Sequence, residues 1–505
     1  MDNLKYIFAL LCIGISTLIR GQDLSSSVQN IAQSNDLLGG SVVVFCSEGI
    51  IDEVHFGTAD VTRNLSVNTN TKFRIASVSK SITAIAVMQL EEEGIISITQ
   101  DISDLLGFTV RNPSFPDTAI TLGMLLSHTS SIIDGSTYGA FLSATVNDDP
   151  IPNLSELLSP AGLYYTSDQF NAIEPGTYFN YSNINFGIIA TIIERVTDTR
   201  FDVYCKEEIF DPLGIDASFN VTDLNDIDDL AVIYRKINGD WEPQVDNFQG
   251  TPPTFTNLNN YIPGNNGLRF SPQGGLRIST TDLATIYSSF LKNGLVGDYE
   301  LLSSDTIDEM FFDHWTFNGS NGNNYFGLFR SWGLGIHRIT NTPNNDVVLP
   351  LSNSAFGHPG EAYGLVSDAY VDTEQDLGLI FLTNGNGSGY QIDDNSAFYT
   401  VEKEIFDAIE DYVDQSSCST LSTAENTTPE TLIPNPVENV LDVSRFPKKW
   451  DGISLSIYSL DGKQLLSEEI NSAKPLIDVS TLANGIYILQ IQNVKLGSIL
   501  LIKSN

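Results

Sequence analysis

The order of strand-like and helix-like patterns along the chain constrains the fold most strongly. Gly40 to Phe45 is a β-branched run, and a Ser47-Glu48-Gly49 turn joins it to a second extended stretch that ends at Gly57. Strand patterns return much later, at Gly364 to Val371 and at Gly378 to Leu382. Helical patterns fill the region between them. Strands at both ends of a helix-rich middle predict an α+β fold whose sheet combines N-terminal and C-terminal segments.

Apolar residues at three- and four-residue spacing predict the helices. One begins at Ser77 and runs to Gly94, which is well placed as a helix C-cap. Similar stripes begin at Ile184 and at Leu283, and another lies between Val401 and Val413. We therefore expect amphipathic helices packed on the sheet.

Length and charge limit the kinds of partner. The chain has 505 residues, enough for two or three structural units with a large buried interior. Its 63 acidic and 25 basic side chains give a formal net charge of −38. Such a charge repels phosphate backbones and anionic headgroups, so we expect neither nucleic acid nor a membrane surface as partner. We interpret the acidic surface as a solvated one that maintains solubility.

The N-terminus has the pattern of a secretory signal. Lys5 precedes an uncharged apolar run from Tyr6 to Leu18, and Arg20-Gly21-Gln22 follows. The run is shorter than the roughly 20 residues that span a bilayer. We predict a signal peptide over residues 1–21 and no membrane span in the mature chain.

The cysteines are too few for a disulfide framework. Cys12 lies in the predicted signal, which leaves Cys46, Cys205 and Cys418. Three thiols cannot all pair with each other, so we expect at least one to be free, with the pairing left open. The sequence has no CxxC motif and no Cys/His cluster, and we predict no metal and no cofactor.

A change of composition after Val413 indicates a linker and a second domain. Ser, Thr, Glu and Pro dominate the predicted linker, residues 414–431. In residues 432–505, apolar and serine residues alternate from Ile453 to Ile457, and Gly485 to Ile491 predicts another strand. We predict a small antiparallel β-sandwich there.

Particular landmarks in this second domain carry a resemblance. They are Pro434-Asn435-Pro436, Asp461-Gly462-Lys463 after Tyr458, the Leu482 to Tyr487 stretch and Lys503. Together they resemble the C-terminal sorting domain of the type IX secretion system of Bacteroidota. The resemblance implies secretion machinery as a partner, passage by way of the periplasm, and release or attachment at the outer cell surface. An accessory sandwich that binds a ligand or substrate is the alternative.

Ser77-Val78-Ser79-Lys80 lies where an extended pattern ends and a helix begins. A serine at a helix N-terminus lies near free backbone N–H groups and the positive end of the helix dipole, which suits an oxyanion. Lys80 is one helical turn further on, so its amine can reach the Ser77 hydroxyl. Burial can lower the lysine pKa far enough for the amine to accept a proton. The pattern alone is common, and a capped helix with a surface lysine also has it.

Tyr181-Ser182-Asn183 precedes the helix that begins at Ile184. In an extended turn the Tyr181 hydroxyl and the Asn183 amide project to the same side and can share one wall of a cleft. We expect Tyr181 to relay a proton between Ser77 and the leaving group. We expect Asn183 to hold Lys80 and a substrate amide. Tyr178-Phe179-Asn180 has the same form, and helix-entry capping is the alternative explanation for both.

His358-Pro359-Gly360-Glu361 precedes the late strands. We expect His358 to donate a hydrogen bond to a substrate carboxylate or to the Tyr181 oxygen, and Gly360 to leave room for the substrate backbone. The Glu361 N–H, with that of Ser77, would complete an oxyanion hole. His55-Phe56-Gly57 has the same spacing but lies upstream of Ser77.

These three motifs, in this order, resemble those of class C β-lactamases, D-alanyl-D-alanine carboxypeptidases and related esterases and D-aminopeptidases. The resemblance covers residues 25 to 413. Four further stretches share it: Phe73 to Ala76, Leu125 to Ser130 with His128 as loop structure, Pro175-Gly176, and Gly274 to Leu276 with Ser279 and Asp282. The family fold implied is a β-lactamase/transpeptidase-like core, with an antiparallel sheet flanked by helices, a helix-rich domain beside it and the site between them.

The resemblance implies a secreted serine hydrolase whose catalytic domain is residues 22–413. Its substrate would be a small peptide, an ester or a β-lactam-like compound. His358-Pro359-Gly360 stands where class C β-lactamases have Lys-Thr-Gly, which favours a carboxypeptidase or D-aminopeptidase over a β-lactamase. A small-acyl esterase is the alternative enzyme. A catalytically idle protein that binds peptides or glycans is the alternative of another class.

Overall fold

The computed structural model describes residues 23–348, 355–413, 437, 439–443, 453–459, 463–471, 474–491 and 499–503. The predicted signal peptide and the predicted linker lie outside these residues, as do Pro434-Asn435-Pro436 and Asp461-Gly462. The chain divides into two compact units, Met1–Cys418 and Ser419–Asn505.

The helices of the first unit lie mostly between its N-terminal and C-terminal strands. They are α1 (Leu24–Ser34), α2 (Ser79–Glu92), α3 (Ile102–Leu106), α4 (Leu122–Leu126), α5 (Tyr138–Asn147), α6 (Ser155–Leu158), α7 (Ile184–Thr197), α8 (Phe201–Cys205), α9 (Thr280–Leu291), α10 (Ser304–Phe311) and α11 (Thr400–Val413). The four predicted helical stripes correspond to α2, α7, α9 and α11.

The strands of this unit are β1 (Gly39–Cys46), β2 (Gly49–Asp60), β3 (Leu65–Ser66), β4 (Phe73–Arg74), β5 (Ile233–Ile237), β6 (Asp240–Val245), β7 (Arg277–Ile278), β8 (Leu295–Val296), β9 (Tyr299–Glu300), β10 (Trp315–Thr316), β11 (Ser331–Trp332), β12 (His337–Arg338), β13 (Ala355–Ala362), β14 (Leu365–Asp372) and β15 (Leu377–Thr383). The main sheet has the order β10-β11-β12-β13-β14-β15-β1-β2-β3. The other strands form two-stranded ribbons.

The main sheet joins the two ends of this unit through β1. β1 pairs antiparallel with β15, with Val43 opposite Ile380, and with β2 on its other side. Every residue of β1, β14 and β15 is buried, because helices cover both faces of the sheet. The predicted α+β architecture is confirmed.

Two hydrophobic cores lie on opposite faces of this sheet. On one face, α9 packs against β1, β14 and β15, and its core extends into α2 and α7. On the other face, α1 and α11 pack together and bury Val28, Ile405 and Ile409 among the strand residues. The first core is the larger, and it fixes α2 and α7 against each other beside β13.

The second unit contains β16 (Val440–Asp442), β17 (Ser454–Tyr458), β18 (Gln464–Glu469), β19 (Leu476–Asp478), β20 (Gly485–Ile491) and β21 (Ile499–Lys503). One antiparallel sheet has the order β18-β17-β20-β21, and β16 pairs with β19. Leu441, Leu455, Ile457, Val479 and Leu489 are buried in one core between them. This is the small all-β unit that the alternating sequence pattern predicts.

Two further findings concern targeting and metals. Over the residues that the structure describes, no helix has the length and apolar character needed to cross a bilayer. Within the same residues, no three His, Cys, Asp or Glu side chains are grouped so as to hold a metal ion. Cys46 is disulfide-bonded, whereas Cys205 is a buried free thiol. The odd number of cysteines predicts that at least one thiol is free, and Cys205 is such a thiol.

Candidate active site

Ser77 lies in a tight 3-10 turn, Ala76–Val78, directly before α2. Ala76 has a φ of 44°, a left-handed conformation that is strained for a residue with a Cβ. The neighbouring Ile75 is buried, and its carbonyl accepts a hydrogen bond of 2.8 Å from the Ser367 hydroxyl on β14. The sheet therefore holds the strained turn in place and presents Ser77 at its surface.

Lys80 follows one turn later on α2 and has no exposed surface. Its Nζ donates to Ser77 Oγ at 3.1 Å, to Asn183 Oδ1 at 3.0 Å and to the Gln273 carbonyl at 2.7 Å. Burial lowers the pKa of Lys80 to about 7, against an opposing influence of the Asp134 carboxylate. A substantial fraction of this amine is therefore neutral at pH 7.

The three acceptors around Lys80 differ in what they can do once the amine is neutral. The Asn183 Oδ1 and the Gln273 carbonyl can only accept hydrogen bonds, whereas the Ser77 hydroxyl can also donate one. A neutral amine has two protons and one lone pair. The lone pair can therefore be satisfied only by Ser77, whose hydroxyl proton then points at Lys80.

Tyr181 presents its hydroxyl beside Ser77. Its ring centroid is 4.9 Å from Lys80 Nζ, and its hydroxyl oxygen is buried. Within the described residues this oxygen makes no hydrogen bond of ordinary geometry, although Ser77 acts on it electrostatically as a side-chain partner. The two hydroxyls are adjacent without a closed hydrogen bond. Burial raises the pKa of Tyr181 well above its usual value, so the phenol is protonated.

Asn183 is oriented by Asp134, a residue that the sequence did not single out. Asn183 Nδ2 donates to Asp134 Oδ2 at 2.9 Å, which turns Asn183 Oδ1 toward Lys80. Asp134 also accepts the N–H groups of Asn183 and Ile184, at 3.2 and 2.9 Å. Asp134 thus caps α7, and Asn183 makes no side-chain cap of its own. Capping therefore does not explain the Asn183 side chain, which contacts Lys80 instead.

The His128 ring packs against the ring of Tyr181. It is buried, and its ring centroid lies 4.4 Å from that of Tyr181. Its Nδ1 accepts the Ser182 N–H at 3.1 Å, which makes the unprotonated Nδ1 tautomer the one that fits. These contacts fit the expected structural role in the loop.

Gly360 allows β13 to pass close to the nucleophile. A Cβ at this position would lie 2.9 Å from the Ser77 backbone nitrogen and 2.4 Å from Ser367 Oγ. Only a glycine fits such a close approach. The strand can therefore run past the Ser77 turn without a gap.

The backbone of Glu361 points away from its neighbouring strand. Glu361 is opposite Val366 on β14, but the Val366 N–H donates to Thr383 Oγ1 and the Val366 carbonyl accepts from that hydroxyl. Both groups of Val366 are thus directed toward β15. In an antiparallel ladder this makes Glu361 and Val366 a non-hydrogen-bonded pair. The Glu361 N–H is therefore directed to the opposite side of β13, and Glu361 and Ser77 line the same cavity.

His358 departs from expectation. It lies inside β13 with no exposed surface, between the rings of Trp332 and Tyr181 at centroid distances of 5.3 and 6.0 Å. Its Nδ1 is 2.6 Å from the Pro359 carbonyl oxygen, which only accepts, so Nδ1 is the donor. Burial and the nearby Lys80 charge lower the pKa of His358 well below 6.5.

The neutral His358 ring therefore has an acceptor at Nε2, where no described residue supplies a partner. A buried, neutral acceptor cannot bind a carboxylate. The structure disfavours the expected hydrogen bond from His358 to a substrate carboxylate or to the Tyr181 oxygen, and that role of His358 stays a prediction. The physical reason is burial, which the local sequence pattern does not report.

The two competing motifs lie elsewhere. His55 is in β2, and its Nδ1 is hydrogen-bonded with the Ser41 hydroxyl at 2.8 Å. In the other motif Phe179 is buried and stacks on Trp315 at 4.2 Å. Neither His55 nor Tyr178 is among the described residues that line the cavity beside Ser77.

The cavity beside Ser77 has a volume of about 270 Å³. Of the predicted residues, Ser77, Tyr181, Gly360 and Glu361 line it, while Lys80 and Asn183 are joined to Ser77 from behind. It is also lined by residues that the sequence analysis missed: Tyr325, Phe326, Leu328, Phe329, Ile392, Ala397, Tyr399 and Glu402. No motif marks these side chains, because they come from loops and a helix up to 325 residues away in sequence from Ser77.

Comparisons with known proteins agree with this arrangement. The Beta-lactamase family model matches residues 24–398, and the model of the secretion system C-terminal sorting domain matches residues 431–500. The second match implies interaction with secretion machinery and export to the cell surface or beyond.

Three similar proteins illustrate the likeness. Penicillin-binding protein 4* of Bacillus subtilis (strain 168) is 31% identical over 177 residues, which are 34% of this chain and 36% of that protein. The chain thus aligns with about a third of the length of the curated relatives it matches.

The structure of EstCE1, a hydrolase with promiscuous acyltransferase activity, has a TM-score of 0.56 and 21% identity, and covers 77% of this chain and 98% of its own. The D-amino acid amidase of Ochrobactrum anthropi SV3 has a TM-score of 0.56 and 17% identity, and covers 78% and 100%. At these identities the structures show the shared fold. A family model matches most of the chain, and the structure brings the expected motifs together in one site. This chain therefore belongs to the Beta-lactamase family, and it carries a secretion sorting domain at its C-terminal end.

Proposed function

We propose that this protein is an exported serine hydrolase that cleaves an amide or an ester through an acyl-enzyme on Ser77. The contact that carries the proposal is that of Lys80 Nζ with Ser77 Oγ at 3.1 Å. A buried amine whose pKa is about 7 can remove the hydroxyl proton at neutral pH, which a solvated lysine cannot.

The proposed reaction begins with attack of Ser77 Oγ on the substrate carbonyl carbon while its proton moves to Lys80 Nζ. The carbonyl oxygen becomes an oxyanion that accepts the N–H groups of Ser77 and Glu361. Tyr181 gives its phenolic proton to the leaving nitrogen or oxygen and takes one back from Lys80. The raised pKa of Tyr181 suits this role, because a phenolate between the two transfers is short-lived.

Deacylation reverses the roles. A water molecule attacks the acyl-enzyme carbonyl and gives its proton to the neutral Lys80. The ester bond to Ser77 breaks, and Ser77 Oγ recovers that proton. His358 acts in this scheme as a positioning residue, since its buried ring lies beside that of Tyr181 at a centroid distance of 6.0 Å.

The fold relatives support an acyl-transfer reaction, and they include a D-amino acid amidase and a hydrolase with promiscuous acyltransferase activity. We propose a peptidase of the D-aminopeptidase or carboxypeptidase type, with a small-acyl esterase as the alternative. The predominantly apolar and aromatic wall of the cavity favours the esterase alternative. A substrate screen should therefore include esters. We propose that residues 22–413 carry this activity and that residues 432–505 direct export.

A fluorophosphonate probe tests the nucleophile directly. Ser77→Ala should abolish labelling and reduce turnover by roughly a thousandfold or more, because the attacking oxygen is removed. Ser136→Ala, at an exposed loop position outside the cavity, is the matched control and should label like the parent protein. Labelling that persists in Ser77→Ala, or a parent protein that does not label, would support a catalytically idle binding protein instead.

A further inference from the structure

The cavity beside Ser77 has an uneven distribution of charge. Its described lining includes two acidic side chains, Glu361 and Glu402, and none of its described lining residues is Lys, Arg or His. The remaining wall is mainly aromatic and aliphatic, with Tyr325, Phe329 and Tyr399 as its largest members. A group that enters this cavity therefore meets apolar surface and carboxyl groups.

The two carboxyl groups are not equivalent. Glu402 is 3% exposed, accepts the Tyr399 N–H at 2.6 Å and lies against the buried carboxyl group of Asp368. Burial raises the pKa of Glu402, which favours its uncharged form. Glu361, by contrast, is exposed on the cavity wall.

The position of the Glu361 carboxylate is fixed. It accepts a hydrogen bond from the Tyr399 hydroxyl, and its charge acts on the Tyr181 hydroxyl. The backbone N–H of the same residue is directed to the side where the substrate oxygen is proposed to lie. Glu361 thus brings a carboxylate to the wall of the cavity that Ser77 also lines.

We infer that the cavity selects substrates by charge: it accepts an apolar or aromatic group that carries an ammonium beside the scissile carbonyl, binds that ammonium at Glu361, and rejects a carboxylate there. The inference rests on the proposed function, and it names the substrate class. Aromatic faces add a favourable cation–π attraction for an ammonium. A substrate carboxylate would face Glu361 with no cation among the described lining residues to compensate it.

Three p-nitroanilide substrates of nearly equal shape test the inference at pH 7. They are phenylalanine p-nitroanilide in both enantiomers, the 3-phenylpropanoyl analogue without the amine, and the benzylmalonyl analogue with a carboxylate in place of the amine. The pKa of an α-amino group is about 7.7, so the amine of the phenylalanine substrates is largely charged at pH 7. We expect kcat/KM to be about tenfold higher for the better amine enantiomer than for the neutral analogue, and lowest for the carboxylate.

Two variants separate a local effect from the overall negative charge. Glu361→Gln retains the size of the side chain and a hydrogen-bond acceptor for Tyr399 but removes the charge, so the amine-to-neutral ratio of kcat/KM should fall to about one. Glu48→Gln removes one charge outside the cavity and should leave the ratio as in the parent. The ratio is informative even if Glu361→Gln is less active overall, because both substrates share the same enzyme.

The failure of this inference differs from the failure of the proposed function. A parent enzyme that prefers the carboxylate, shows no preference for the amine, or hydrolyses none of the three while still labelling at Ser77 overturns the charge selection and leaves the nucleophile assignment intact. A ratio that is unchanged in Glu361→Gln, or that falls equally in Glu48→Gln, overturns the role of Glu361. Hydrolysis that survives Ser77→Ala overturns the proposed function itself.

Discussion

At the scale of single residues, the chemistry depends on the protonation of one buried amine. Lys80 must be neutral to accept the Ser77 proton, and its pKa is about 7. Below that pH the protonated fraction increases, so kcat/KM for an uncharged substrate should fall about tenfold per pH unit on the acid side and reach a plateau above pH 8. A pH–rate profile from 5 to 9 measures this.

Lys80→Arg is the matched variant, because a guanidinium keeps the charge but does not release its proton in this range. We expect it to lose activity at every pH, with the fold retained by circular dichroism. A flat profile of the parent enzyme between pH 6 and 8 would contradict the assignment of Lys80 as the base.

Asp134 has two effects that can be measured separately. Its carboxylate orients the Asn183 amide and also raises the pKa of Lys80. Asp134→Asn should therefore reduce kcat/KM by roughly ten- to a hundredfold, the value of a charged hydrogen bond of about 1.5–3 kcal/mol. It should also move the acid limb of the profile to lower pH, because the charge that favours protonated Lys80 is gone.

Asp168→Asn is the control for this variant. Asp168 belongs to a neighbouring loop, where it accepts the Ser136 N–H at 3.1 Å, and it is not a partner of Lys80 or Asn183 in any contact described above. Replacement of Asp168 should leave the pH–rate profile unchanged. An Asp134→Asn enzyme with reduced activity and an unshifted acid limb would have a structural defect only.

At the scale of elements, the site depends on how closely β13 approaches the turn before α2. Gly360→Ala would place a Cβ 2.9 Å from the Ser77 nitrogen and 2.4 Å from Ser367 Oγ, where atoms must shift. We expect an overpacking penalty of about 1–3 kcal/mol in unfolding free energy and a larger loss of activity, because the displaced groups include the proposed oxyanion donors. Urea unfolding and kcat/KM measure the two effects.

Gly139→Ala is the element-scale control. Gly139 lies in α5, and a Cβ there meets no atom within 4 Å. Alanine should stabilise this helix by roughly 0.5–1 kcal/mol and leave turnover unchanged. Equal effects of the two substitutions would show that the close approach at Gly360 does not matter.

At the scale of the whole molecule, the proposed division of labour follows from the two compact units. Each unit has its own hydrophobic core, and the described residues that line the cavity all belong to the first. Removal of Ser419 onward should leave kcat/KM of the purified protein within about twofold and abolish export from the native host. Full secretion of the shortened chain, or loss of its specific activity, would contradict this division.

The sequence by itself determined the features that depend on local period and local motif. Apolar spacing identified α7 and α9, the alternating pattern identified the second unit, and the Ser77 and Lys80 spacing placed both groups one helical turn apart. These features could be predicted because backbone geometry fixes which neighbours along the chain share a face. The order of the elements also indicated a sheet formed from both ends of the first unit.

Only the tertiary structure decided what surrounds these groups. Asp134, Tyr399 and Glu402 reach the site from distant segments, and nothing in their local sequence distinguishes them from other acidic and aromatic residues in the chain. The same reason applies to His358. Its motif is local, but its burial between Tyr181 and Trp332 depends on the packing of loops and strands, and this burial makes the ring neutral. The chemistry of a titratable group follows its solvation and its neighbours in space, which are set when the chain folds.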